Sequence, residues 1–293
     1  MTISAKIKVY GGLSVFQEDV EAIFPNASFS KPIKRGGTFR DVQDGYHVIV
    51  IIDGRFQQSM AVSPSELMDT LRCGVRVYGS SSMGALRAVE LEPYGMIGYG
   101  EIFEHIKRTP YFRDDYLGQV FTEEGHNSLS EPYVNFMFSI NKMRDAKEIS
   151  PADHDVLDEL YKQLHFGERD LYSLIEQIKQ KHSEDQERLI GKAKQVFSYH
   201  NQKREDGLGL LKKVHADLKH IKKTNQELRE RIGRIPAYEG LYPTKKEYEQ
   251  QLAEFKETQK KTRASYFSDF LKQSSNLPAF KKPVESDSSN SKE

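Results

Sequence analysis

Three consecutive hydroxyls, Ser80-Ser81-Ser82, stand where an apolar β-branched run (Val75 to Tyr78) gives way to a helix-forming one (Ala85 to Glu90), with Gly79 and Gly84 on either side. A helix start needs one capping hydroxyl. Three suit a nucleophile on a strand-to-helix turn or an anion cradle at a helix N-terminus. Ser82 lies two residues before Gly84, as a nucleophile-elbow serine does, although Ser80 replaces the leading glycine of G-x-S-x-G. Two other groups could work with it: Gly11-Gly12 with Ser14, and Asp53-Gly54. The glycines permit close backbone approach. Asp53 offers either a carboxylate for chemistry or a turn cap. Arg87 either pairs with Glu90 one helical turn away or reaches back to the serines as an anion clamp.

Positioning these groups requires strands. Four short apolar runs fall at residues 6–10, 27–30, 47–53 and 75–80, and the third is apolar at every position from Val48 to Ile52. A strand buried on both faces marks a parallel sheet under helices, so the chain is read as α/β with a small Rossmann-like sheet domain. Helices are expected from Ser14 to Phe24, and from a start at Ser63-Pro64-x-Glu66, where a capping hydroxyl precedes a proline and a Glu follows three residues on. Ligands of such sheets bind beyond the carboxyl ends of the strands. That rule gathers Gly11, Gly12, Asp53, Gly54 and the three serines at one edge, a site suited to an oxyanion.

After a glycine-punctuated loop, EPYGMIGYG, the pattern predicts helices over 101–108 and in SEPYVNFMFSINKM, which closes a first domain at residues 1–145. Residues 150–273 read as an all-α region with a long charged helix, and 274–293 as a disordered tail. Leu211, Val214, Leu218, Ile221, Asn225, Leu228 and Ile232 form a heptad seam. It suits either a hairpin packed on the chain's own helices or a homodimer through the C-terminal helix.

Composition narrows the function classes. The chain has 43 basic and 43 acidic residues, so no global charge draws it to nucleic acid or an anionic membrane. Nine Lys or Arg against three Asp or Glu over residues 192–223 make either a solvated helix face or a dock for an acidic peptide or carrier. The single cysteine, Cys73, is read as a packed thiol and fits a reducing cytosol. MTISAKIKVYGG has no secretory h-region, and no run reaches the roughly 18 apolar residues of a membrane span, so a cytoplasmic protein is expected. GMIGYG has its glycines in the wrong order for a dinucleotide fingerprint, there is no phosphate-loop motif, and the histidines lack ligand spacing. No metal or cofactor is expected.

The blocks VIVIIDGRF, GVRVYGSSSMGALRAVELEPYGMIGYGEIF and LSEPYVN, in that order, closely resemble the TfuA-like family, named from trifolitoxin biosynthesis, over roughly residues 6–140. The resemblance implies an accessory role in peptide backbone thioamidation, a ribosomal-peptide modification. The protein would bind a YcaO enzyme and release sulfide from a thiocarboxylated, ThiS-like carrier protein, with the precursor peptide as a further partner and ATP left to the YcaO enzyme. A non-catalytic adaptor that binds the YcaO enzyme and recruits carrier or peptide is the alternative. Carried over, the matching positions are Asp53, Gly54, Ser82, Met83, Gly84, Arg87, Glu90, Glu101, Glu131 and Asn135. Expected catalytic roles fall to Ser82 as nucleophile or oxyanion contact, Asp53 as base or orienter, and Arg87 as holder of the thiocarboxylate. Gly11, Gly12, Gly54, Ser81, Gly84, Glu90, Glu101, Glu131 and Asn135 are expected around the substrate. Relatives often carry a histidine where this chain has Ser63-Pro64, so His47, His105 and His126 serve as a base only if the fold brings one to Ser82.

Overall fold

The structure is a computed structural model and describes residues 5–56, 61–122 and 128–221. The last expected helix, the disordered tail, His126 and the seam beyond Ile221 lie outside the described residues.

Five parallel strands form one sheet in the order β2-β1-β3-β4-β5. They are β1 (Ile7–Tyr10), β2 (Ser28–Ser30), β3 (Val48–Ile51), β4 (Arg76–Gly79) and a two-residue β5 (Ile97–Gly98). Between them run α1 (Gln17–Ile23), α2 (Gly37–Gln43), α3 (Pro64–Arg72) and α4 (Met83–Leu91), followed by α5 (Glu101–Arg108). The four expected strands are present, and β5 extends the edge beside β4.

β3 sits at the centre because both its faces are apolar. Ile49 and Ile51 pack with Val77, Leu67, Ala85 and Ala88 under α3 and α4. Val48, Val50 and Ile52 face the other way, onto Val20 and Phe24 of the α1 segment. The five side chains from Val48 to Ile52 are at most 1% exposed. Burial of this order stabilises by about 1.5–3 kcal/mol per large aliphatic side chain.

Ser63 caps α3 as expected, its Oγ accepting the Glu66 N–H at 3.2 Å. Glu66 does not return to Ser63. Its buried carboxylate accepts from the Gly36 and Thr38 amides at 2.9 and 3.0 Å and from the Thr38 hydroxyl at 2.8 Å, so it tethers the start of α2 instead.

Beyond the sheet, α6 (Tyr133–Asp145), α7 (Pro151–Gln163), α8 (Leu171–Lys181) and α9 (Gln186–Tyr199) share a core around Phe136, Ile140, Leu157, Tyr161, Leu174 and Ala193. The next helix, α10 (Gln202–Ile221), turns back to the sheet, where Leu210, Leu211 and Val214 complete the layer begun by α1. The described start of the heptad seam therefore packs on the chain's own sheet, with Leu218 at the margin of the same cluster. Among the described residues no helix is long and apolar enough to cross a membrane.

Candidate functional site

The three serines go three ways. The Ser80 hydroxyl donates to the Tyr99 carbonyl at 2.7 Å and ties the β4 end to the loop after β5. Ser81 takes a left-handed backbone, φ +67°, and its hydroxyl donates to the Lys203 carbonyl on α10. A non-glycine residue held there stores on the order of 1–2 kcal/mol of strain. Ser82 then opens α4 with φ −120° and ψ −117° but makes no side-chain cap. Among the described residues its hydroxyl has no hydrogen-bond partner, and neither does the Met83 N–H in the first turn of the helix. The turn shares with a nucleophile elbow a serine between strand and helix followed by an open amide, but its left-handed residue is Ser81 rather than Ser82. Gly84 makes it possible, because a Cβ there would overlap the Ile51 carbonyl oxygen of β3.

Ser82 lines a cleft of about 560 Å³ whose walls are largely apolar: Leu13, Phe56, Leu117, Val120, Phe121 and Phe166. Gly54, Arg55 and Gln119 add polar edges. A second cavity of about 540 Å³ adjoins it, sharing Phe56, Asp114 and Asp115, and contains Arg87 and Glu90.

Asp53 is wholly buried and held by the β1–α1 loop. Its carboxylate accepts from the Leu13 and Ser14 amides at 3.0 and 2.7 Å and from the Ser14 hydroxyl at 2.7 Å. Gly11 and Gly12 shape that loop: the Gly11 N–H bonds to Ser30 O and the Gly12 N–H to Val15 O, and Gly12 adopts φ +116°. Arg87 is engaged away from the serine turn. Its Nε donates to Val62 O at 2.8 Å, and its Nη1 meets both Glu90 oxygens at 2.7 Å. Glu101 belongs elsewhere, beside a third cavity, with its amide held by Asp206 at 3.0 Å.

Glu131 and Asn135 converge on α10. Asn135 donates to Glu131 Oε1 at 2.6 Å and accepts the Lys203 N–H at 2.9 Å. Burial pushes the Glu131 carboxyl above its usual range, against the opposing pull of Asn135 and Lys203. Lys203 itself is 2% exposed. Its Nζ donates to Gln119 Oε1 at 2.6 Å and to Leu117 O at 3.4 Å. Burial holds its ammonium below the usual lysine range, with Asp53 and Glu131 pulling the other way. Reasoning from the sequence missed this residue, which sits in a basic stretch that resembles a solvated face. The available signal is its register: Lys203 is four residues before buried Gly207 and eleven before Val214, on the apolar side of α10.

Neighbouring charges of that stretch are also engaged. Arg204 forms a two-pronged pair with Asp19 at 2.8 and 2.9 Å, and Lys213 reaches Asp217 at 3.2 Å. Neither described candidate histidine lines the Ser82 cleft. His47 Nδ1 accepts the Lys6 amide at 3.0 Å, and His105 lies among Phe112 and Phe138, where burial lowers its pKa. Cys73 is buried at the end of α3.

The cleft wall is braced by Arg169. This wholly buried guanidinium donates to Asp115 O at 2.6 Å and to Asp115 Oδ2 at 2.7 Å, between the rings of Tyr116 and Tyr133. Burial opposes ionisation of Asp115, but bonds from Arg113 and Arg169 outweigh it and hold that carboxyl below its usual range. No match was found among curated proteins. Residues 53–170, from the buried Asp53 through the serine turn to the Arg169 brace, match the family model described as TfuA-like protein.

Proposed function

We propose that this protein serves a YcaO enzyme in backbone thioamidation by hydrolysing a thiocarboxylated, ThiS-like carrier and supplying the sulfide. The observation that carries this reading is the Ser82 hydroxyl, without a partner among the described residues, beside the open Met83 amide in an apolar-walled cleft lined mostly by the TfuA-like span. Ser82 attacks the acyl carbon and the Met83 N–H stabilises the developing oxyanion. Asp53 acts as an orienter: its three bonds hold the Leu13–Ser14 loop, and Leu13 forms one side of the cleft. Arg87 serves the adjoining cavity, where its pair with Glu90 opens to receive the carrier's acidic groups. Glu131 and Asn135 contribute through α10 rather than by touching substrate.

Incubating the protein with thiocarboxylated carrier, with and without a cognate YcaO enzyme, tests the reading. Sulfide release that falls at least about 100-fold in Ser82→Ala supports it. Full release by that variant refutes the role of Ser82. Stimulated thioamidation with free sulfide, and no release from carrier, would make the protein an adaptor.

A further inference from the structure

We propose that the cleft takes its substrate as an extended peptide tail, bound as an added antiparallel strand along Gln119 and Phe121 with the C-terminal acyl group at Ser82. The inference rests on the carrier reading, because it describes how the end of a protein chain reaches that serine.

Residues 117–121 form one wall of the cleft. Val120 commits both of its backbone groups to the neighbouring segment: its N–H donates to Ser130 Oγ at 2.8 Å and its carbonyl accepts the Leu129 N–H at 2.8 Å. Phe121 faces Ser128 across an antiparallel bridge, which holds the wall extended. Alternation along an extended chain turns the N–H and C=O of Gln119 and Phe121 the other way. Among the described residues none of those four groups has a hydrogen-bond partner. The Gln119 side chain does not fold back to meet them, since its Oε1 accepts from Lys203 Nζ at 2.6 Å and its Nε2 donates to Ser128 Oγ at 3.1 Å.

Open N–H and C=O pairs two residues apart match the period of another strand, and a compact small molecule would meet only one pair. In an antiparallel pairing, Gln119 exchanges both bonds with one tail residue and Phe121 with the residue two before it. Burial sets the direction. The wall is buried at Leu117 and Gly118 and half-buried from Gln119 to Phe121, while Ser82 is 2% exposed. The cleft deepens towards the start of the wall, so a tail entering C-terminus first runs against it. Its terminal anion then meets the positive end of α4, where the Met83 N–H is open. Phe56, Phe121 and Phe166 keep the cleft apolar, which strengthens the added bonds.

The test uses the full chain and a short peptide of glycine and alanine with a free C-terminal carboxylate, raised to millimolar concentration. Amide hydrogen exchange, read by NMR, should slow at least about 10-fold at Gln119 and Phe121, while Val120, already bonded, stays unchanged. Methylating the peptide's amide nitrogens one at a time should weaken binding by about 10-fold at alternate positions and leave the intervening ones tolerant. No binding, unchanged exchange at both amides, or losses without alternation overturns the proposal. Slowing that grows with protein concentration in the absence of peptide assigns the edge to a second copy of the chain and overturns it as well. Sulfide release is measured on the same peptides made as thiocarboxylates. Protection of the two amides without release removes the hydrolytic reading alone, whereas release indifferent to N-methylation removes strand addition and leaves hydrolysis standing.

Discussion

The Ser81 hydroxyl donates to the Lys203 carbonyl, joining the β4–α4 turn to a helix 122 residues further along the chain. That bond ties the TfuA-like span to α10 and sets the turn from which Ser82 projects. It also accounts for a serine in a left-handed conformation: the side chain needed to reach α10 sits on a backbone that would otherwise favour glycine.

Ser81→Ala should therefore lower stability by on the order of 1–2 kcal/mol, since it removes the bond and keeps the strain. Ser81→Gly loses the same bond but relieves the strain, and should be less destabilised. Urea melts of the two variants give the comparison; equal losses would argue against strain at this position.

Ser82→Ala and Asp53→Ala should separate chemistry from structure. The Ser82 hydroxyl has no partner among the described residues, so its loss should leave the melting temperature unchanged. Asp53→Ala strands the Leu13 and Ser14 donors and should cost about 2–4 kcal/mol. Calorimetry on both variants, alongside the sulfide assay, reads the difference.

Gly84→Ala places a methyl group against the Ile51 carbonyl, where backbone rather than a flexible side chain must yield. We expect a loss of about 3 kcal/mol or more, or failure to accumulate as folded protein. A circular-dichroism melt within a few degrees of wild type would contradict the packing of α4 on β3.

Stability should depend on Asp41. Burial raises its carboxyl from 3.8 to about 6, partly offset by the bond that Tyr10 Oη donates at 2.6 Å and by Lys8. The folded state therefore binds this proton more tightly than the unfolded chain, and the stabilisation it gives at low pH is lost as pH rises from about 4 to about 6. The loss is on the order of 2–3 kcal/mol. Chemical melts across that range should show the decline in the wild type and a flatter profile in Asp41→Asn.

Much of this architecture was legible in local patterns. Val48 to Ile52 announced a central strand because both faces of a parallel sheet need apolar cover, and the Ser63-Pro64 start of α3 followed from capping chemistry. β5, two residues ending in glycine, carries too little pattern to be seen. The partner of Glu66 was equally hidden, because a buried carboxylate takes whichever amides the fold brings to it.

The sequence by itself determined the parallel sheet, the place of the serine turn at the carboxyl edge of its strands, and the resemblance of its motifs to TfuA-like proteins. Periodicity and motif spacing are local properties, and these features depend on little else. Only the tertiary structure decided which of three adjacent serines has no partner among the described residues, that Asp53 holds a loop and Arg87 lines a neighbouring cavity, and that α10 covers the sheet. It also carried Lys203 from a seemingly solvated basic stretch into the core behind the cleft. Those outcomes depend on contacts between segments far apart in the chain, where burial and hydrogen-bond satisfaction act on both partners at once.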